Sequence, residues 1–302
     1  MRKALAKRQL LCILLIEAAL CAEALPVNPD DKIYLGFLDD AREEMVNWKA
    51  GVARQRVIRP AFERSSRGWS QADLTTLPAR MTWTVAFDGR SLGQLESQAD
   101  PEGGLTAFQT ILTSAAAVPI VGSPSDEFAG IMAIGETKVR RPLVVVSKPY
   151  VQDPDRWKRT KLPEEAGRLV RKAFRREYPH VDRCKEEEVV ERNWKFPDSA
   201  LALPVAYASN KHSFLIEARL SAGDCGWVND PDDPLSDPWF FVSRDGAVRR
   251  IGSFMTLLDA GDYDNDGQSE VIFFLSQGEN TDGFVLFDAT FTQPVSFVWH
   301  YH

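Results

Sequence analysis

Nine residues close to the C-terminal end, Asp262-Tyr263-Asp264-Asn265-Asp266-Gly267-Gln268-Ser269-Glu270, gather the residue types from which a metal site is made. A hard cation such as Ca²⁺ takes about six to eight oxygen ligands, and alternating carboxylates on a tightly curled loop supply them while the side chains between point away. Asp262, Asp264 and Asp266 stand at positions 1, 3 and 5, Gly267 at position 6 allows the sharp turn, Gln268 at 7 can offer its backbone carbonyl, and Glu270 stands at 9. Four acids this close repel one another unless a cation offsets them. Magnesium suits the set less well than calcium, because it demands a smaller and stiffer shell. The alternative is a solvated acidic turn that holds no ion.

The loop departs from an EF-hand. Its position 12 is Phe273 where that motif places a bidentate glutamate, and the flanks read as strands, Thr256-Leu257-Leu258 before it and Val271 to Leu275 after it. Strand, DxDxDGxxE, strand resembles the calcium loops of the FG-GAP and VCBS repeat families, found in integrin-like β-propellers and bacterial secreted proteins. The resemblance runs from about Met255 to Asp288, a tenth of the chain, with Gly283 to Phe287 in the place of the next strand of such a blade. It implies direct Ca²⁺ ligation by Asp262, Asp264, Asp266, Gln268 (through its carbonyl) and Glu270. Glu270 stands where those families more often have aspartate, and one intact loop is present where a full propeller carries several.

Other reactive types are sparse. There is no G-x-S-x-G nucleophile elbow and no H-E-x-x-H zinc motif. Of four cysteines, Cys12 and Cys21 fall in the N-terminal leader described below, which leaves Cys184 and Cys225. In an oxidising compartment that pair is a disulfide candidate, worth roughly 4 kcal/mol on the chain-entropy model; two free thiols are the alternative. His300 and His302 would share one face of a terminal strand, where a transition metal can bind, although a polar strand end is the commoner use of such a pair. Among eight tryptophans, core packing is the default role. Trp227 and Trp239 flank the acidic, proline-rich loop Asn229–Pro238 and are the best placed for a ligand surface.

The elements that must hold these residues read mainly as antiparallel β with helical insertions (α+β). Trp83, Val85 and Phe87 alternate ahead of Asp88-Gly89; Leu143 to Val146 is a buried strand; and hairpins follow at Val205–Tyr207 with Phe214–Leu220, Trp239–Val242 with Val248–Phe254, and Val271–Leu275 with Phe284–Phe287. Asp-Gly pairs at Asp88, Asp245 and Asp282 punctuate these runs at irregular spacing, a weak hint of blade-like hairpins in a partial or irregular β-propeller. Helical spacing is clearest over residues 162–178, with Leu162, Ala166, Leu169, Val170, Ala173, Phe174 and Tyr178 along one face and five basic residues on the rest. That basic face is expected to be solvated or paired with Glu186-Glu187-Glu188. A second helix is expected from Asp39 to Lys49, capped by Asp39 or Asp40, after a short strand from Ile33 to Leu38. Arg54 to Arg67 shows no clear period.

At the N-terminus, Arg2, Lys3, Lys7 and Arg8 precede a short apolar stretch, Leu10 to Cys21, and then Ala22-Glu23-Ala24. This is the pattern of a signal peptide over residues 1–24 cleaved near Ala24, which places the protein outside the cytoplasm, secreted, periplasmic or at the cell surface. Residues 25–302 then carry 32 basic and 41 acidic residues, a net charge of -9. Such acidity argues against nucleic acid as a partner, and no apolar run reaches the ~18 residues of a membrane span. The expected organisation is a mixed segment at 25–80 and a β-rich domain at 81–302. The expected function is that of an exported Ca²⁺-binding β-rich protein acting as a binding or structural and interaction module, with an unknown protein or carbohydrate as its ligand. The alternative is a secreted hydrolase whose acidic catalytic residues only the three-dimensional structure would reveal.

Overall fold

The computed structural model describes residues 32–40, 56–99, 108–114, 117–123, 125, 127–128, 140–149, 152–226, 228, 230–276 and 281–300. The signal peptide expected at 1–24, most of the helix expected at 39–49, Trp48, Trp227 and His302 lie outside these. Chain order is β1 (Ile33–Asp40), β2 (Arg56–Ser65), β3 (Gly68–Gln71), β4 (Arg80–Phe87), β5 (Arg90–Ala99), β6 (Gln109–Ile111), β7 (Leu143–Val146) and β8 (Lys158–Arg159). Helix α1 (Glu164–Glu177) follows, then β9 (Val181–Lys185), β10 (Glu188–Trp194), β11 (Leu201–Ala208), β12 (Phe214–Leu220), β13 (Trp239–Val242) and β14 (Val248–Gly252). The last meander is β15 (Met255–Gly261), β16 (Glu270–Ser276), β17 (Thr281–Phe287) and β18 (Val295–His300). Antiparallel β dominates, as expected. Helical insertion shrinks among the described residues to α1 and one short 3₁₀ turn, Asp198–Ala200.

Six strands close into a ring in the order β1-β7-β4-β5-β6-β2, with β2 returning to pair with β1 and β3 added beside β2. Residues on both sides of position 80 therefore build one sheet. The ring is filled from within: Tyr34, Leu38, Ile58, Trp83, Val85, Leu95, Leu143 and Val145 point into a common core. Trp83 is fully buried there, and its indole N–H reaches Ser97 Oγ at 2.8 Å. Two expectations change here. Strand β1 runs on through Asp39 and Asp40, where a helix is expected to begin, because their backbones pair with Val57 and Arg56 of the neighbouring strand. The stretch from Arg56 to Ser65, which has no visible period, is the strand that closes the ring.

The remaining layers stack on this ring. Outward-facing Leu35, Phe37, Phe62, Val144 and Val146 pack on Leu258, Ile272, Phe274, Phe284 and Leu286 of the four-stranded sheet β15-β16-β17-β18. Its opposite face, with Val271, Phe273, Val285 and Phe287, packs on Leu215 and Trp239 of the five-stranded sheet β14-β13-β12-β11-β8. Helix α1 covers that sheet's far face, laying Ala166, Val170, Ala173 and Phe174 on Ile216, Ala218, Phe240 and Val242. A sheet buried on both faces needs apolar side chains at successive positions, which is why β16 reads as the unbroken run Val271-Ile272-Phe273-Phe274-Leu275. On the basic face of α1, Lys172 and Arg176 are exposed, and the other three basic residues find local partners in place of the 186–188 acids. Arg168 pairs with Glu165, while Arg171 and Arg175 donate to the carbonyls of Leu201 and Phe196 and Arg175 also pairs with Asp198.

Beside these layers stands a two-stranded arm, β9 with β10, tied by the disulfide Cys184–Cys225. The Cys184 N–H donates to Ala222 O at 2.9 Å, and Gly223 passes so close that a Cβ there would lie 2.0 Å from the Cys184 carbonyl oxygen. At that crossing only glycine fits.

Candidate metal centre

The acidic loop joins β15 to β16 at the start of the last meander, where Gly261 still pairs with Glu270. Asn265 and Gly267 adopt positive φ (62° and 84°), so the chain curls twice within three residues. Asparagine and glycine are the two residues that tolerate this conformation best. The loop's first acid anchors the turn: Asp262 Oδ1 accepts from Asp266 N at 3.0 Å and Oδ2 from Gly267 N at 3.0 Å. Asp264 Oδ1 accepts from Asp266 N at 3.1 Å, and Glu270 Oε2 accepts from Tyr263 N at 2.8 Å.

Three of the four acids converge. Oxygens of Asp262, Asp264 and Glu270 lie within 4.8 Å of one another, on side chains that are all buried. Asp266 stands outside that group, exposed, with Oδ1 accepting from Gln268 N at 2.8 Å and Oδ2 from Gln268 Nε2 at 3.3 Å. Gln268 is likewise exposed, at the loop's outer turn. The convergence has an electrostatic cost. Burial, helped by the charges of Asp264, Asp266 and Asp262, pushes the Glu270 carboxyl up to about 9. Burial also raises Asp262, against the pull of the Gly267 N–H. An all-oxygen, multiply anionic donor set of this kind fits a hard cation and offers nothing to a soft one.

Neighbours that sequence reading missed hold the loop. From β2, Arg64 sets its Nε 2.6 Å from Asp264 Oδ2. From the segment ahead of β8, Asp153 Oδ1 accepts from Ser269 Oγ at 2.5 Å and from Arg156 N at 2.9 Å, while its Oδ2 accepts from Trp157 N at 2.7 Å. Ser269 Oγ in turn accepts from Asp155 N at 3.1 Å, and Asp262 N donates to Gln152 O at 3.1 Å. Residues 152–157 thus form a brace along one side of the loop, with Arg64 on another. The only sequence signal for any of this is the polar Ser269 directly ahead of a buried strand. Arg64 lies 200 positions away and carries no local mark. Tyr263, between two aspartates, turns its ring into the core between the sheets.

The other candidates resolve differently. Trp239 is buried, with its indole N–H on Met255 O at 2.7 Å, so it belongs to the core and not to a ligand surface. His300 Nδ1 lies 3.0 Å from Thr281 Oγ1, at the end of β18. An open cavity of about 550 Å³ is lined by Lys211, Ser213, Ser243, Arg244 and Asp245, at the hairpin ends of the five-stranded sheet. Its one lining carboxylate is that of Asp245.

The chain matches no protein-family model, no curated protein and no solved structure. Among the described residues no helix is long and apolar enough to cross a membrane.

Proposed function

We propose that the protein is an exported, calcium-binding β module that serves binding or structure, with Ca²⁺ held in the 262–270 loop. The observation that carries this reading is the convergence of buried Asp262, Asp264 and Glu270 oxygens within 4.8 Å on a loop braced from two sides. Asp266 and the Gln268 carbonyl complete the set from the outer turn. The meanders β11–β14 and β15–β18, packed face to face, act as successive blades with the ion fastening the second at its first turn. The ion's role is structural, since it joins β15 to β16 at a point where both run into apolar layers. A ligand is then a protein or a carbohydrate taken by the surface that these layers support.

The test is calorimetric titration of Ca²⁺ into the chelator-stripped chain, with melting in chelator and in excess Ca²⁺. One ion per chain is expected. At a hundredfold excess over its dissociation constant, binding adds roughly 3 kcal/mol to stability, a rise of about 6–12 °C in Tm. Asp262→Asn should abolish both signals. A stripped wild-type chain that shows no heat of binding and an unchanged Tm removes the metal reading.

A further inference from the structure

We propose that Arg64 is the resident counter-cation of the acidic loop and sets how tightly the loop binds Ca²⁺, a role that rests on the metal reading above. Arg64 belongs to the ring, whereas the loop belongs to the last meander, so this contact is long-range and specific. Its Nε lies 2.6 Å from Asp264 Oδ2 and its Nη1 donates to Ser65 O at 2.9 Å, which fixes the guanidinium in place. The Asp264 side chain is only 5% exposed. A guanidinium stays charged at every accessible pH, so this positive charge is permanent.

With Arg64 on Oδ2 and the Asp266 N–H on Oδ1, both oxygens of Asp264 already have donors. Glu270 is the opposite case. Its Oε2 accepts from Tyr263 N, while among the described residues no donor reaches Oε1, although the residue is 3% exposed. A carboxylate oxygen without a donor, on a side chain that is almost wholly buried and converges with two other acids, is an acceptor in want of a cation. Arg64 offsets the loop from one side only and cannot serve that oxygen as well.

The consequences follow from charge alone. Counting only the three aspartates as charged, with one guanidinium, still leaves the loop net negative, so it attracts a divalent cation. Arg64 weakens that attraction by placing a like charge on one of the ligands. It also relieves carboxylate repulsion before the ion arrives, so the metal-free loop stays formed. Removing the charge should therefore tighten Ca²⁺ binding and destabilise the metal-free chain together. An arginine that merely packed or positioned Asp264 would do the reverse to affinity, because its loss would misplace a ligand.

The experiment compares wild type, Arg64→Gln, which keeps a side-chain N–H donor, and Arg64→Lys, which keeps the charge, each as the full chain stripped with chelator and titrated with Ca²⁺. Arg64→Gln should bind at least about threefold tighter than wild type and melt about 2–4 °C lower in chelator, with a larger Ca²⁺-induced rise. Arg64→Lys should stay within about twofold of wild type. Equal or weaker binding by Arg64→Gln, when wild type takes up Ca²⁺, overturns the tuning role and leaves the metal site standing. A wild type that takes up no Ca²⁺ overturns both.

Discussion

Asp259 is a second acid with an unusual setting, outside the loop but on the same strand. It is 5% exposed on β15, and its Oδ1 accepts from Ala260 N at 3.0 Å and Asp88 N at 3.1 Å. Arg141 Nη2 stands 3.9 Å away, stacked over the Phe87 ring and paired more closely with Asp88 at 2.9 Å. Burial outweighs these partners and pushes the carboxyl up to about 7. A folded-state value above the unfolded one means that the native chain holds the proton more firmly. This contribution is therefore full below about pH 4 and is lost as pH rises through about 7, on the order of 4 kcal/mol across the window. Asp259→Asn keeps the oxygen that both amides use and removes the titration. Melting at intervals from pH 4 to 8, in chelator, should show wild type losing stability relative to Asp259→Asn as pH climbs. Parallel curves for the two proteins would mean that Asp259 is ionised throughout.

At the scale of elements, the β9–β10 arm stands apart from the layered body. Six of the seven residues of β10 are exposed, Val189 and Val190 among them, so little apolar burial holds this ribbon down. At its base Val181 and Trp194 pack on the core beneath α1, and farther along it is tied by Cys184–Cys225, with hydrogen bonds from Cys184 N to Ala222 O and from Glu187 N to Asp224 O. Replacing both cysteines with serine should release the arm without unfolding the sheets. In hydrogen exchange, amides of residues 181–194 should lose at least about tenfold in protection while those of β16 keep theirs. Equal loss in both would show the arm to be part of the global folding unit. This disulfide was legible in the sequence because Cys12 and Cys21 fall in the expected leader, which leaves Cys184 and Cys225 as a pair. The hairpins were legible too, since alternation and Asp-Gly turns are local signals: Asp88 and Gly89 both take positive φ between paired Phe87 and Arg90. The ring was not, because its closing pair joins β1 to a strand whose Arg59, Glu63 and Arg64 hide its period. Arg59 is buried there, with Trp299 and Phe108 covering its charge from distant parts of the chain, at 4.1 and 4.7 Å. The acidic loop was visible as a motif, but its brace at Asp153 and Arg64 is assembled by folding, and no spacing rule spans such separations.

For the whole molecule, the stacking order decides how it unfolds. The meander β15–β18 has apolar faces on both sides, one against the ring and the other against the five-stranded sheet, so neither neighbour can leave without baring a core. Phe284 marks the first of these interfaces. Its ring stacks on Phe37 of the ring sheet at 3.5 Å between centroids, and it also meets Phe274 and Trp299. Truncating a fully buried phenylalanine costs about 3–5 kcal/mol, because the cavity left behind collapses only in part. Phe284→Ala should therefore lower Tm by about 10 °C, and the layered core should still melt in one transition, since the damage at one interface is shared by every layer that depends on it. Fluorescence of the tryptophans in the ring, with Trp83, and in the five-stranded sheet, with Trp239, reports both sides of Phe284 at once. Two separated transitions, with only the ring's shifted, would show that the ring and the meanders fold independently. The acidic loop lies at this same junction, tied to the ring through Arg64 and to the meander through Glu270. A cation bound there stabilises the assembled state against both partial states, so added Ca²⁺ should move the single transition of Phe284→Ala upward by as much as it moves that of wild type.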